Sequence, residues 1–375
     1  MEYRDLKKQY QVLKKDMDKA MEEVCTKAMF IGGSYVKDLE KHLADYVGVK
    51  NCVSCANGTD ALQLPLMVWG IGAGDVVFVP DFTYFSSGEV VSAVGATPVF
   101  VDVDPKTYNM DPAKLEKAVE KVLADGKYAP KAVIAVDLFG LPADFDKIRP
   151  ICEKYGLYLL EDGAQGFGGE LHGAKACSFG DISTTSFFPA KPVGCYGDGG
   201  AIFTDNDEWA DLLRSYAVHG KGADKYDNVR IGMNSRLDTL QAAILEIKVR
   251  AFEDYEFSDI NKAAKLYTEF FEGTELVLPV IPEGYLSSWA QYTIRLPKTV
   301  DRAALQSYLK EKEIPSMIYY KKPMHKQGAF AGTYSAEADC PVTDEICETV
   351  LSLPLDPYKT EEDVMTVVEA IKAFL

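Results

Sequence analysis

Residues 186–201 read SFFPAKPVGCYGDGGA, and the lysine inside that run, Lys191, organises the reading of the rest of the chain. Ser186 and the two phenylalanines after it read as a strand end, and Gly194, Gly197, Gly199 and Gly200 make the following stretch tight. An amine held between an apolar strand end and a close-turning backbone faces a confined space. Upstream, the apolar run GLYLLED (156–162) ends in carboxylates and continues as EDGAQ (161–165). A confined lysine with a carboxylate at a second strand end points to pyridoxal phosphate (PLP), which binds as a Schiff base and needs an acid at its ring nitrogen. Lys191 is the Schiff-base candidate and Asp162 the ring-nitrogen partner. Strand alternation separates Asp162 from its neighbour Glu161. Gln165, three residues on, could reach the phenolic oxygen of the same ring.

Around this pair the first half of the chain alternates strand and helix patterns. NCVSCA (51–56), DVVFVP (75–80), TPVFVDV (97–103), KAVIAVDLFG (131–140) and GLYLLED read as strands, with helical patterns between them. That alternation implies an α/β fold with a mostly parallel, doubly wound sheet and helices on both faces. Sites in such sheets lie outside the carboxyl ends of the strands, and the candidates fall there. Gly58 and Thr59 open a helix directly after a strand, where free N–H groups and the helix dipole receive phosphate. The plainer alternative is an ordinary turn capped by Thr59. Ser186 could offer its hydroxyl to the same phosphate. Tyr84, after the second strand, could stack on the ring or serve as a core aromatic.

After Gly199 the pattern changes. A strand (GAIFTD) and a helix lead into the loop GKGADKYDNVRIGMNS (220–235), then a long helical stretch over about 237–272. Farther on, QYTIRL and SMIYY read as strands, and 301–312, 342–350 and 361–374 as helices. The expected organisation is a large cofactor-binding domain over 1–250 and a smaller α+β domain over 251–375. The N-terminal helix (1–28) could pack on either.

The 375 residues are 47% hydrophobic, enough for a large core. A formal charge of −17 opposes nucleic-acid binding. An anionic substrate must therefore be received by local cations, and Lys221, Lys225, Arg230 and Arg236 cluster in sequence. No apolar run approaches the roughly 20 residues of a membrane span, and the charged N-terminus lacks a signal-peptide core. The reading is a cytoplasmic protein with no membrane and no nucleic-acid partner. Of eight cysteines only Cys52 and Cys55 form a CxxC pair, which reads as two thiols on one strand. All eight are expected reduced, and no metal site is expected.

The segments FIGGSYVKDLEKHLADYVG (30–48), NGTDAL (57–62), PDFTYFSS (80–87), EDGAQ, SFFPAKPVGCYGDGGA, HGKG (219–222) and GMNSRLDTLQAA (232–243) together resemble the DegT/DnrJ/EryC1/StrS sugar aminotransferases of PLP fold type I. The resemblance runs essentially the whole chain. It implies that Lys191 carries the cofactor; a related branch has histidine there and dehydrates sugars, so lysine implies amino transfer. It implies further that Asp162 pairs the ring nitrogen, Gln165 contacts the phenolic oxygen, and Thr59 and Ser186 hold phosphate. Tyr84 falls at the stacking position. Asn234 matches an asparagine reaching the phosphate of the neighbouring subunit, which implies a homodimer with shared active sites. Gly163 stands where the family usually has alanine, so slightly looser packing under the ring is expected.

Within the family, MEYRDLKKQY, VRIGMNSRLDTLQ and AQYTI are most similar to the branch acting on UDP-2-acetamido-2-deoxy-3-keto-hexuronic acid, for cell-surface polysaccharide synthesis. There Arg230 matches an arginine that holds the sugar carboxylate, and His325 resembles a substrate-side histidine. Glutamate is the implied amino donor. Two other readings stay open: an aminotransferase for a 3-keto or 4-keto 6-deoxy nucleotide sugar, and a non-enzymatic regulator on the same fold.

Overall fold

Runs of β-branched and aromatic residues without polar alternation demand strands covered on both faces. In the computed structural model, which describes residues 1–224 and 226–375, those runs form the centre of the molecule. The helices α1 (Leu6–Lys27) and α2 (Ser34–Val47) precede β1 (Asn51–Cys55) and α3 (Gly58–Val68). Then come β2 (Asp75–Pro80), α4 (Ser86–Ala93), β3 (Thr97–Val101), α5 (Pro112–Asp125), β4 (Ala129–Val136) and α6 (Phe145–Tyr155). The series closes with β5 (Tyr158–Asp162), β6 (Ile182–Ser186), β7 (Gly200–Thr204) and α7 (Asp207–Tyr216).

These seven strands form one sheet in the order β1-β7-β6-β5-β4-β2-β3. Only β7 runs against its neighbours; the other pairings are parallel. Six strands therefore end on one edge, and the 187–199 segment that carries Lys191 leaves β6 and enters β7 at that edge. Register places Val136 beside Asp162 and Asp162 beside Thr184. The pleat sorts side chains to two cores. Val76 and Phe78 of β2 pack with Leu115, Val119 and Ile148 of α5 and α6, and Val77 and Val79 with Leu62, Leu66 and Val90 of α3 and α4.

Beyond the sheet lie α8 (Thr239–Ala251), a π-turn (Phe252–Glu256), α9 (Phe257–Phe271), β8 (Tyr292–Arg295), α10 (Arg302–Glu311), α11 (Pro341–Thr349), β9 (Val350–Leu353) and α12 (Glu361–Phe374). β8 and β9 pair antiparallel, and Tyr267, Tyr292, Leu305, Leu353 and Val367 belong to a core of their own. Met324, Phe330 and Ile346 pack instead on the first core, so the C-terminal third grips the sheet as well as itself.

The helical stretch expected over about 237–272 runs from α8 through the π-turn into α9 without a break. One local expectation changes. SMIYY is not a strand: Met317 makes only an isolated bridge to Ser352, and β9, which follows α11 directly, supplies the pairing edge. The N-terminal helix packs along α8, while the residues before it bind the C-terminal region: Leu355 N donates to Tyr3 O at 3.1 Å and Asp5 N to Asp356 Oδ2 at 2.9 Å. No helix of the described residues is long and apolar enough to cross a membrane.

Candidate active site

The strand ends converge on α3. Its first turn is capped by Asn57, whose side chain accepts from Asp60 N at 2.8 Å; the cap is therefore not Thr59. Gly58 is required sterically, because a Cβ there would sit 2.6 Å from Ser186 Cβ. Its absence lets the helix N-terminus close onto the end of β6. Thr59 Oγ1 lies 2.9 Å from Ser86 Oγ, and Ser186 Oγ accepts from Phe188 N at 3.3 Å. Gly58, Thr59 and Ser186 thus meet at a helix N-terminus, whose N–H groups and dipole favour an anion.

Asp162 is buried at the end of β5. Its Oδ2 accepts from Ser87 Oγ at 2.8 Å and its Oδ1 from Ala164 N at 3.2 Å. Burial pushes its carboxyl pKa up, opposed by the Ser87 hydroxyl and the Lys191 charge. Lys191 is half-buried, and desolvation lowers its amine pKa against the pull of Asp162. Each charge acts on the other, yet no direct ion pair joins them among the described residues. Ser87 holds the Asp162 carboxylate and sequence reading missed it; it lies one residue beyond a serine already near Thr59.

Glu161 takes the opposite face, as alternation requires. Its carboxylate accepts from Cys177 N at 2.5 Å, Phe179 N at 2.7 Å and Ser183 Oγ at 2.8 Å. It lies in a buried pair with Asp137, whose pKa is pushed well up by burial and by the Glu161 charge; burial raises the Glu161 pKa as well. Asp137 Oδ1 accepts from Ala143 N at 3.0 Å, and its Oδ2 has no hydrogen-bond partner among the described residues.

Gln165 accepts from Phe139 N at 2.8 Å and donates to Tyr320 OH at 3.0 Å, which leaves one amide hydrogen unassigned. Tyr320 is the second residue that sequence reading missed, because nothing local in SMIYYKKP marks it. Tyr84 is 57% exposed, with its ring centroid 6.3 Å from that of Tyr320. It stands at the rim of the site and is not a core aromatic.

The residues present fit PLP. A buried carboxylate faces the half-buried lysine, and a helix N-terminus with two hydroxyls stands ready for phosphate where a Cβ at position 58 would obstruct it. One expectation is corrected. The space under Gly163 is not slack: a Cβ there would meet Cys177 Sγ at 2.6 Å and Thr184 O at 2.9 Å. The thiol fills the volume that alanine would take. Gly163→Ala is therefore expected to destabilise the protein by about 1–3 kcal/mol through overpacking, read as a lowered denaturation midpoint and partly relieved by adding Cys177→Ala.

Farther out, Arg230 donates to Ser215 Oγ at 2.5 Å, lies 5.6 Å over the Tyr216 ring, and lines an open concavity with His219, Lys221 and Asn228. Among the described residues it has no carboxylate partner, so the helix-entry salt bridge is absent there. Asn234 is exposed, and its Oδ1 accepts from Arg236 at 2.6 Å. Of the basic cluster, Lys221 and Arg230 share the concavity, Arg236 turns to Asn234, and Lys225 lies outside the described residues.

His325 is buried against Asp81, with its backbone N 2.8 Å from Oδ1 and Nδ1 2.6 Å from Oδ2. That grip, one bond from the main chain and one from the imidazole, pins the segment around His325 to the end of β2. Cys340 completes a buried trio with Asp81 and His325 whose donor atoms lie within 4.8 Å of one another; both Asp81 oxygens are already engaged by His325.

The model of the DegT/DnrJ/EryC1/StrS aminotransferase family matches residues 11–372. The chain is 43% identical to the UDP-2-acetamido-2-deoxy-3-oxo-D-glucuronate aminotransferase of Pseudomonas aeruginosa, over 99% of each chain. It is similar to the crystal structure of a DegT DnrJ EryC1 StrS aminotransferase from Brucella abortus, with a TM-score of 0.96 and 45% identity over 100% of this chain and 99% of that one. The X-ray structure of S. venezuelae DesV in complex with a ketimine intermediate matches at a TM-score of 0.93 and 33% identity, over 99% and 97%. With a family match over nearly its whole length, the chain belongs to the DegT/DnrJ/EryC1/StrS aminotransferases.

Proposed function

We propose that this aminotransferase moves an amino group from glutamate to the C3 keto carbon of UDP-2-acetamido-2-deoxy-3-keto-hexuronic acid. The family's cofactor is PLP, which when bound supplies the electron sink and carries the amino group between donor and acceptor. The protein's own part is positional and acid–base. Lys191 holds the cofactor and, with its pKa lowered by burial, takes and returns the proton at the reacting carbon. Asp162 keeps the ring nitrogen protonated, and Ser87 holds that carboxylate in place. Thr59, Ser186 and the start of α3 receive the phosphate; Gln165 reaches the phenolic oxygen, and Tyr84 covers the ring.

The observation that carries the substrate assignment is Arg230, a guanidinium without a carboxylate partner among the described residues, beside Lys221 in a concavity of a strongly acidic protein. A planar guanidinium suits a sugar carboxylate. Arg230→Ala is expected to lower kcat/KM for the 3-keto hexuronate about 100-fold, the loss of one charge-assisted bidentate contact. Conversion of 6-deoxy keto sugars should change little. Equal loss on both substrate types would move the assignment to a 3-keto or 4-keto 6-deoxy nucleotide sugar.

The active unit in this reading is a homodimer with shared sites. Asn234 is exposed, and Met29, Phe30 and Ile31, each about half exposed, run beside it: Ile31 bridges to Asp238 and Phe30 O accepts from Thr239 N. Apolar residues exposed beside a polar ligand candidate are what a subunit boundary at the site needs. The eight free cysteines suit the reducing cytoplasm.

A further inference from the structure

The segment carrying Lys191 is gripped from behind by the N-terminus of the chain. Arg4 donates from its guanidinium to the carbonyl of Pro192, the residue after Lys191, at 3.1 Å. This arginine is half-buried, its Nη1 is buried with no hydrogen-bond partner among the described residues, and the charges of Glu256 and Asp356 act on it favourably. Both carboxylates are fixed by other groups. Glu256 accepts from Gln9 at 2.9 Å and from Tyr358 OH at 2.5 Å; Asp356 accepts from Asp5 N at 2.9 Å and pairs with Lys359 at 2.9 Å.

Glu256 is buried at the end of the π-turn over Phe252–Glu256, and π-turns inside helices recur at functional positions. A second cation, the buried Lys248, lies 4.6 Å from the ring centroid of Tyr196, on the same segment as Lys191. Tyr196 is also held by Gln241, through Tyr196 N at 2.8 Å and Tyr196 O at 3.2 Å. A buried guanidinium nitrogen with no partner is costly, and it is retained here beside a hydrogen bond to the residue after the proposed cofactor lysine.

We propose that Arg4 is a positioning residue for Lys191. Through Glu256, Asp356 and Tyr358 it ties the seating of the lysine segment to the C-terminal region. Arg4 acts through the backbone: its hydrogen bond to the Pro192 carbonyl fixes the main chain from which the lysine side chain springs. The inference rests on the reading of Lys191 as the cofactor lysine.

The test uses the PLP-loaded full chain with Arg4→Gln and Arg4→Lys, reading kcat, KM and thermal stability. Arg4→Gln is expected to lower kcat about tenfold, as loss of a hydrogen bond from a charged group does, with KM for the nucleotide sugar unchanged. Arg4→Lys keeps a charged donor for the Pro192 carbonyl, so kcat should fall by less.

A merely structural arginine would lower thermal stability and leave kcat of the folded protein alone; an unchanged kcat in Arg4→Gln overturns the inference. Should Arg4→Gln fail to fold, Arg4→Lys makes the test alone: its kcat should fall at unchanged KM, and an unchanged kcat overturns the proposal. Borohydride reduction and peptide mapping of the unsubstituted protein separate the two claims: cofactor fixed elsewhere than Lys191 removes the underlying reading, while cofactor on Lys191 with an unchanged kcat in the variants removes only the role of Arg4.

Discussion

Lys191→Ala is expected to abolish turnover, by about 10³-fold or more, while the folded protein still binds PLP without a covalent link. The argument is one of position. Lys191 sits between the end of β6 and the start of β7, it is half-buried, and desolvation lowers its amine pKa. An amine poised in that way holds a usable neutral fraction and takes and returns protons, a contribution of about 10²–10⁴-fold, to which loss of the covalent tether adds. The phosphate and ring-nitrogen contacts come from other elements, so retention of the cofactor should survive. Steady-state assay together with absorbance after gel filtration checks both halves. Appreciable turnover by the variant would remove the assignment.

Asp162→Asn should be nearly as damaging, at about 10²–10³-fold in kcat, whereas Asp137→Asn should stay within about twofold. The two aspartates lie side by side at the ends of β4 and β5, both buried, and chemistry separates them. Asp162 is held by Ser87 at 2.8 Å and senses the Lys191 charge; its task is to keep a proton on a ring nitrogen, which a neutral amide cannot do. Burial and the Glu161 charge push the Asp137 pKa well up, which favours its neutral form. An asparagine puts a neutral group of the same shape there. Equal damage from the two substitutions would contradict the separation of roles.

What could be read from the sequence was what is local in it. Lys191, Asp162 and the Gly58–Thr59 turn announce themselves by their position at strand ends, and the parallel sheet follows from the alternation of runs such as DVVFVP and KAVIAV with helical segments. Alternation also separated Glu161 from Asp162. Contacts between distant segments were not legible. Tyr320 meets Gln165 across 155 residues, and His325 finds its partner Asp81 across 244. The volume under Gly163 depends on Cys177, a thiol that no local pattern places there. SMIYY has the composition of a strand, yet only Met317 reaches the free edge of β9, as a single bridge to Ser352.

The most direct test of the central claim runs the reaction backwards. PLP-loaded protein is titrated with amino nucleotide sugars, and loss of the visible cofactor absorbance reports each sugar that gives up its amino group. The account predicts loss with a UDP-3-amino-hexuronate and little with 6-deoxy amino sugars, and it predicts that Arg230→Ala erases the difference. Loss only with 6-deoxy sugars would contradict the uronate assignment, and no loss with any amino sugar would contradict sugar amino transfer itself.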